Sequence, residues 1–255
     1  MSNNLAWALT VLLAAQADAQ SERPQHFLTK QCNEDVVQVH LDPRPFQDLV
    51  GSDFSVVLEE GKARVQILVQ DCSQYWINGE SLGPNQEIHV WLLIEGLKDV
   101  RPVVGAQQTR PTMTWFSLFD GSTNRKARVA RMAAGSVQVP IESVSLDPPG
   151  PKRGGRVSFD RNLTYAWDVV SAVPAVRLVG VNHDVYTRYS TGKVVLNHIQ
   201  ALLNVSATGS RGTLEVVGST DILPLIIAGT YPVSVNTFFP MWTRGKLCVL
   251  PRREP

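Results

Sequence analysis

Charge of either sign is scarce in this 255-residue chain: 24 lysines and arginines nearly cancel 23 aspartates and glutamates, charged residues make up 18%, and the net charge is +1. Such a balance offers no long-range attraction to a polyanion, and the basic residues do not interleave with aromatics, so nucleic acid is not an expected partner. The densest basic run, Arg125, Lys126, Arg128 and Arg131, reads as a solvated or hairpin face, with anion binding as the alternative. Histidine is sparse as well: the 5 histidines are scattered at positions 26, 40, 89, 183 and 198, with no metal-ligand cluster. Nucleophile elbow, zinc-protease helix and strand-linked dinucleotide glycines are all missing, and "ATGSRG" at 207–212 has no following helix to complete a phosphate cradle. Neither a metal nor a cofactor is expected.

Long apolar runs are missing too. The run at 5–15, "LAWALTVLLAA", has 11 residues and is too short to span a bilayer. With Ala17 and Ala19 as small residues at a cleavage position, residues 1–19 read as a signal peptide, implying a secreted or periplasmic protein. No Lys or Arg precedes that run, so an N-terminal helix packed on a cytoplasmic domain is the alternative. Three cysteines without a CxxC allow one Cys32–Cys72 disulfide with Cys248 left over, or three free thiols.

What the chain has is short extended runs bounded by turn residues. Strand candidates lie at 35–41, 54–58, 64–70, 87–95, 112–118 and 136–141, then at 156–159, 178–181, 213–217 and 233–239. Glu60-Gly61 and Asn78-Gly79 are hairpin signals, and Asp120-Gly121 reads as a turn closing "MTWFSLFDG". Helices are expected at 43–50, ended by Gly51, and at 193–205, where Val195, Ile199, Leu202 and Val205 form a stripe with His198 beside it. No repeat or composition break divides the chain. The expectation is a mainly β single domain over 20–255 with a strongly curved, cone- or barrel-like antiparallel sheet around a pocket and a few short helices.

One strand poses the functional question. In "EIHVWLLIE", Ile88, Val90, Leu92 and Ile94 share one face, and Glu87, His89, Trp91, Leu93 and Glu95 share the other. A plain solvent face seldom needs Trp91 and Leu93 in a polar row, so this face is a candidate cavity wall, with ordinary exposure to water as the alternative. The neighbouring strand repeats the pattern, with Arg64 and Gln66 as further ligand-binding candidates. In "HDVYTRY", Asp184, Tyr186 and Arg188 share a face that could hold a carboxylate or enolate. His89 is the proton-transfer candidate, Glu87 or Glu95 its partner, Arg188 the stabiliser of negative charge, and Trp91 and Tyr186 ligand contacts.

The order of "DCSQYW", "EIHVWLLIEG", "FDGSTN", "GTLEVV", "DILPLIIAGTYPVSVNTFF" and "RGKL" resembles the layout of the acetoacetate decarboxylase family over roughly residues 45–247. That resemblance implies a cone-shaped antiparallel fold around a deep pocket and chemistry on small oxo acids through a lysine Schiff base. It makes Lys126, beside Arg125, the candidate covalent amine, and Glu80, Glu87 and Glu95 pocket carboxylates. The stretch "NRKARVARMAAGSVQVP" has no Pro-Lys pair such as the family carries, which points toward altered chemistry or simple binding. Three functions therefore compete: binding of a small, partly apolar organic molecule such as an oxo acid, an enzyme of the resembled class, and a structural or interaction domain. No stable membrane span is expected, and self-association into a homo-oligomer stays open.

Overall fold

The computed structural model describes residues 25–95, 112–133, 138–148, 152–160, 163–170, 174–188, 194–218, 226 and 228–249. The elements, in chain order, are β1 (Gln25–Leu41), α1 (Arg44–Val50), β2 (Ser55–Val56), β3 (Leu58–Glu59), β4 (Lys62–Ile77), β5 (Glu80–Glu95), β6 (Thr112–Ser122) and α2 (Arg125–Ala133). They continue with β7 (Gln138–Pro140), β8 (Ser143–Leu146), β9 (Lys152–Asp160), β10 (Leu163–Val170), β11 (Pro174–Arg188), β12 (Val194–Val217) and β13 (Gly229–Val249). The expected leader at 1–19 lies outside the described residues.

Local sequence explains the central hairpins. Glu60 and Asn78 take positive φ of 52° and 51°, followed by Gly61 and Gly79 at 78° and 85°. Two successive left-handed residues make the tight turn whose twist matches antiparallel strands, so β3 meets β4 and β4 meets β5 as the turn signals predict. Gly121 departs from expectation, since it lies inside β6 rather than in a turn. A Cβ there would stand 2.8 Å from Ile88 and 2.9 Å from Ile141, so the glycine serves close strand approach.

The expected cone- or barrel-like antiparallel sheet around a pocket requires correction. The strands form one sheet in the order β11-β6-β5-β4-β1-β13-β12-β10-β9-β8, with β12 also pairing β11. That path ends at β8, so the sheet as a whole is not closed into a barrel. It is also mixed, because β6 runs parallel to both β11 and β7. Nor does it curve strongly around a deep pocket: both faces of its central strands are packed with side chains. The description of the chain as a secreted β-barrel falls with the barrel, and no described residue bears on export by a leader.

The helix expected at 193–205 is part of β12. Positions 195 and 199 lie four apart, a spacing that puts side chains together on a strand as well as on a helix. Val195 and Ile199 pack in one cluster and Leu196 in the other, so both faces of this strand are buried, the arrangement in which alternation disappears from the sequence. Conversely, the basic run at 125–131 is the helix α2. The Asn124 side-chain oxygen caps it, accepting from the Lys126 and Ala127 amides at 3.0 and 3.2 Å.

Two clusters flank the central strands. Val65, Ile67, Val69, Ile88, Val90 and Leu92 belong to the larger one, and Leu68, Tyr75, Trp91, Trp115 and Ile199 to the smaller. Within the larger cluster Asp35 accepts from Arg153 Nε at 2.7 Å, Thr237 Oγ1 at 2.9 Å and Trp167 Nε1 at 3.0 Å. These bonds tie β1 to β13, β9 and β10. Because side chains alternate along a strand, fixing Asp35 on this face sends Glu34 to the other.

Candidate active site

Strand register builds the site. Glu34 of β1 faces Gln70 of β4, which faces Glu87 of β5. One step along, Val36, Leu68, His89 and Asp120 form the next row. Glu87, His89 and Trp91 are all buried, at 1%, 5% and 2% exposure, so the mixed face of β5 meets the interior from Glu87 to Trp91 and reaches water at Glu95. Residues of both rows line a cavity of about 30 Å³. Its polar wall holds Glu34, Gln70, Glu87, His89, Arg131 and His183, and its apolar wall holds Phe27, Leu68, Trp91, Ile199 and Ala201.

The charges alternate around His89. Its Nδ1 lies 2.8 Å from Asp120 Oδ1, and its Nε2 lies 3.4 Å from Glu87 Oε2. Burial alone would discharge the imidazole, but Asp120 and then Glu87 outweigh it and raise its pKa to about 9. His89 is therefore an imidazolium at neutral pH. Trp91 Nε1 donates to the same Asp120 oxygen at 3.3 Å, which holds the carboxylate in place behind the ring.

Arg131 completes the row. Its Nη2 donates to Glu87 Oε2 at 3.1 Å and its Nε to the Tyr75 hydroxyl at 2.6 Å, while the guanidinium lies 4.7 Å from the Phe27 ring centroid. Burial would raise the Glu87 pKa, yet Arg131 and His89 together hold it below its ordinary value. Glu87 Oε1 is buried and makes no hydrogen bond. Across the cavity Glu34 accepts from Gln70 Nε2, and burial, opposed by that bond and by the His89 charge, pushes its pKa up to about 7. His183 Nδ1 accepts from Trp115 Nε1 at 2.9 Å. Burial, and after it the nearby His198, bring His183 down to about 4 against the pull of Asp184, so it stays neutral.

Buried ion pairs of this kind seldom add net stability over an apolar packing of the same volume. Clustered in a cavity with displaced pKa values, they mark a candidate functional site.

Solved structures share the overall fold of this chain. The chain superposes on the enduracididine biosynthesis enzyme MppR complexed with pyruvate with a TM-score of 0.51 at 12% identity, covering 92% of this chain and 91% of that one. The fold is that of the acetoacetate decarboxylase-like proteins. An acetoacetate decarboxylase-like enzyme from Sphingomonas wittichii RW1 gives a TM-score of 0.51 at 11% identity, covering 91% of this chain and 95% of that one. Acetoacetate decarboxylase from Legionella pneumophila gives 0.52 at 12% identity, covering 88% and 87%. No family profile matches the sequence. A search of curated proteins returns no match.

Within this acetoacetate decarboxylase-like fold the structure gathers some candidates and scatters others. Glu87, His89 and Trp91 line the cavity together. Gln66 is buried beside Trp91 in register but stands outside the cavity. Arg64 is engaged with Glu59 at 3.0 Å and lies 5.6 Å from the Trp115 ring. Glu95 is exposed at the end of β5, opposite Ser55. Lys126 is exposed in the first turn of α2, away from the cavity. Arg188 donates to Asp53 at 2.6 Å and to the Val50 carbonyl at 3.1 Å, and Tyr186 packs on Phe54 at 5.3 Å in the larger cluster. Both therefore lie across the sheet from His89.

Glu34, Gln70, Tyr75, Asp120, Arg131 and His183 are the residues that sequence reasoning did not assign to the site. For Arg131 a signal was present. Asn124 is a capping residue, and Ala127 and Arg131 stand four apart on one helix face; both are buried, at 0% and 2% exposure. Among the described residues no group of three or more His, Cys, Asp and Glu could hold a metal ion, and no helix is long and apolar enough to cross a membrane.

Proposed function

We propose that this protein is an enzyme acting on a small oxo acid or related carbonyl compound, bound in the cavity beside His89. The observation that carries the reading is the buried His89 ring in the cavity lining, set between Asp120 at 2.8 Å and Glu87 at 3.4 Å. A fixed cation that keeps its proton to about pH 9 is suited to polarise a carbonyl oxygen and to stabilise the enolate that follows. Arg131 adds a second positive charge on the same side. Of the similar folds, one holds pyruvate and another is an acetoacetate decarboxylase, which supports carbonyl acids as the substrate class.

The chemistry proposed here works through fixed charge rather than a covalent amine. Among the described cavity-lining residues the cations are His89 and Arg131, and none is a lysine. Size narrows the substrate further. A cavity of about 30 Å³ has room for about two waters, so it favours the smallest carbonyl acids. The Cys32–Cys72 bond supports an oxidising compartment for the working protein.

The test is calorimetric titration with pyruvate, acetoacetate and 2-oxobutanoate, followed by NMR of each mixture. We expect binding of at least one and its conversion or hydrogen exchange, with the rate reduced about 100- to 1000-fold in His89→Gln. A folded protein that neither binds nor alters any of the three refutes the reading.

A further inference from the structure

Two carboxyl groups border the cavity from opposite ends of one cross-strand row, Glu34 on β1 and Glu87 on β5, with Gln70 between them. Their surroundings make them chemically unequal. Glu87 presents Oε2 to both Arg131, at 3.1 Å, and His89, at 3.4 Å. A carboxylate neutralised by two cations is a poor proton acceptor. Glu34 has a neutral amide as its hydrogen-bond donor and is itself 3% exposed. An acid and a base are told apart where environment separates two titratable groups in this way.

Resting on the carbonyl reading above, we infer that Glu34 is the base that takes a proton from the carbon next to the substrate carbonyl and later returns it. In the forward step the C–H bond breaks and its proton passes to a Glu34 oxygen. The released electron pair forms the new C=C bond, and the carbonyl π pair moves to oxygen, which takes the proton of His89 Nε2. Reversal restores the ketone, with Glu34 giving up whichever hydrogen isotope it has exchanged with water. No oxidant or further reactant is needed. Glu87 then acts on His89 as a positioning residue, keeping the imidazolium charged and oriented.

Several groups set when Glu34 is active. Gln70 donates from β4, the His89 cation faces it from β5, and Glu87, Arg131 and His183 share the cavity from β5, α2 and β11. Asp35, its chain neighbour, lies behind the sheet in contact with Arg153. Burial leads, and Glu34 becomes a carboxylate only as the pH rises through about 7. His89 is discharged above about 9. Activity should therefore rise through the first value and fall through the second.

The experiment follows loss of the pyruvate methyl proton signal in D₂O by NMR, with pyruvate affinity measured separately by calorimetry. For the unmodified protein we expect exchange with limbs near 7 and 9. For Glu34→Gln we expect exchange to fall at least about 100-fold while the pyruvate Kd changes less than threefold. Glu34→Asp should keep partial exchange and the lower limb. Exchange in Glu34→Gln within threefold of the unmodified rate overturns the assignment, and so does a parallel loss of binding and exchange. Should Glu34→Gln not fold, as judged by circular dichroism, the unmodified profile decides: a limb near 7 supports the base, and a flat rate from pH 6 to 8 overturns it. An unmodified protein that neither binds nor exchanges pyruvate refutes the site reading itself and the assignment with it.

Discussion

Replacing Glu34 with Gln should make the protein more resistant to alkaline conditions, by an amount that follows from its surroundings. Glu34 is 3% exposed, and burial moves its pKa from the ordinary 4.5 to about 7. At ~1.4 kcal/mol per pH unit, this corresponds to about 3 kcal/mol. The sign is set by proton counting. Between these values the folded protein holds a proton that the unfolded chain has released, so stability falls as pH rises. It is fully present below 4.5 and lost by the time pH passes 7. Glutamine keeps an acceptor for Gln70 and never ionises, so it escapes the loss. Urea unfolding of both proteins at pH 5 and pH 8.5 should show their stability difference changing by roughly 2.5 kcal/mol in favour of the variant. His89 titrates in both proteins and cancels from the difference, apart from its attraction to ionised Glu34. Parallel stability curves for the two proteins would refute the claim that Glu34 ionises at a cost inside the fold.

Arg131→Met should leave Glu87 buried with one cation fewer and cost about 3–5 kcal/mol, read by urea unfolding at pH 7, with part of the loss recovered under acid conditions where Glu87 takes up a proton. A cost below about 1 kcal/mol would place Arg131 outside the cavity. Removing the Cys32–Cys72 bond by the double serine variant opens a link across 40 residues and should cost about 3–4 kcal/mol. The readout is thermal unfolding with and without reductant, and an intact protein whose Tm ignores reductant would show the bond unformed.

The central hairpins were readable because their turns carry residues that tolerate positive φ, at Glu60-Gly61 and Asn78-Gly79. The division of β5 into an aliphatic and a mixed face was readable for the same local reason, since strand parity needs no knowledge of the partner. Parity could not say what covers the mixed face. That cover comes from Arg131 on a helix that looked like a solvated basic run, and from Glu34 and His183, distant in sequence and joined to the site through register. In β12, burial on both faces erased the alternation and left a spacing of four that imitates a helix. Arg188 and Tyr186 misled in another way: they do share a strand face, but β11 turns that face toward the larger cluster, where Arg188 meets Asp53.

The cavity draws its wall from β1, β4, β5, β11, β12 and α2, with lining residues spread from Phe27 to Ala201. No contiguous piece of the chain therefore carries the site in miniature. A nick or an insertion that spares every lining side chain but shifts one register would abolish it, because neighbours in the cavity are set by pairing across strands. Ligand affinity would consequently report assembly of the whole sheet, and an excised fragment should have none.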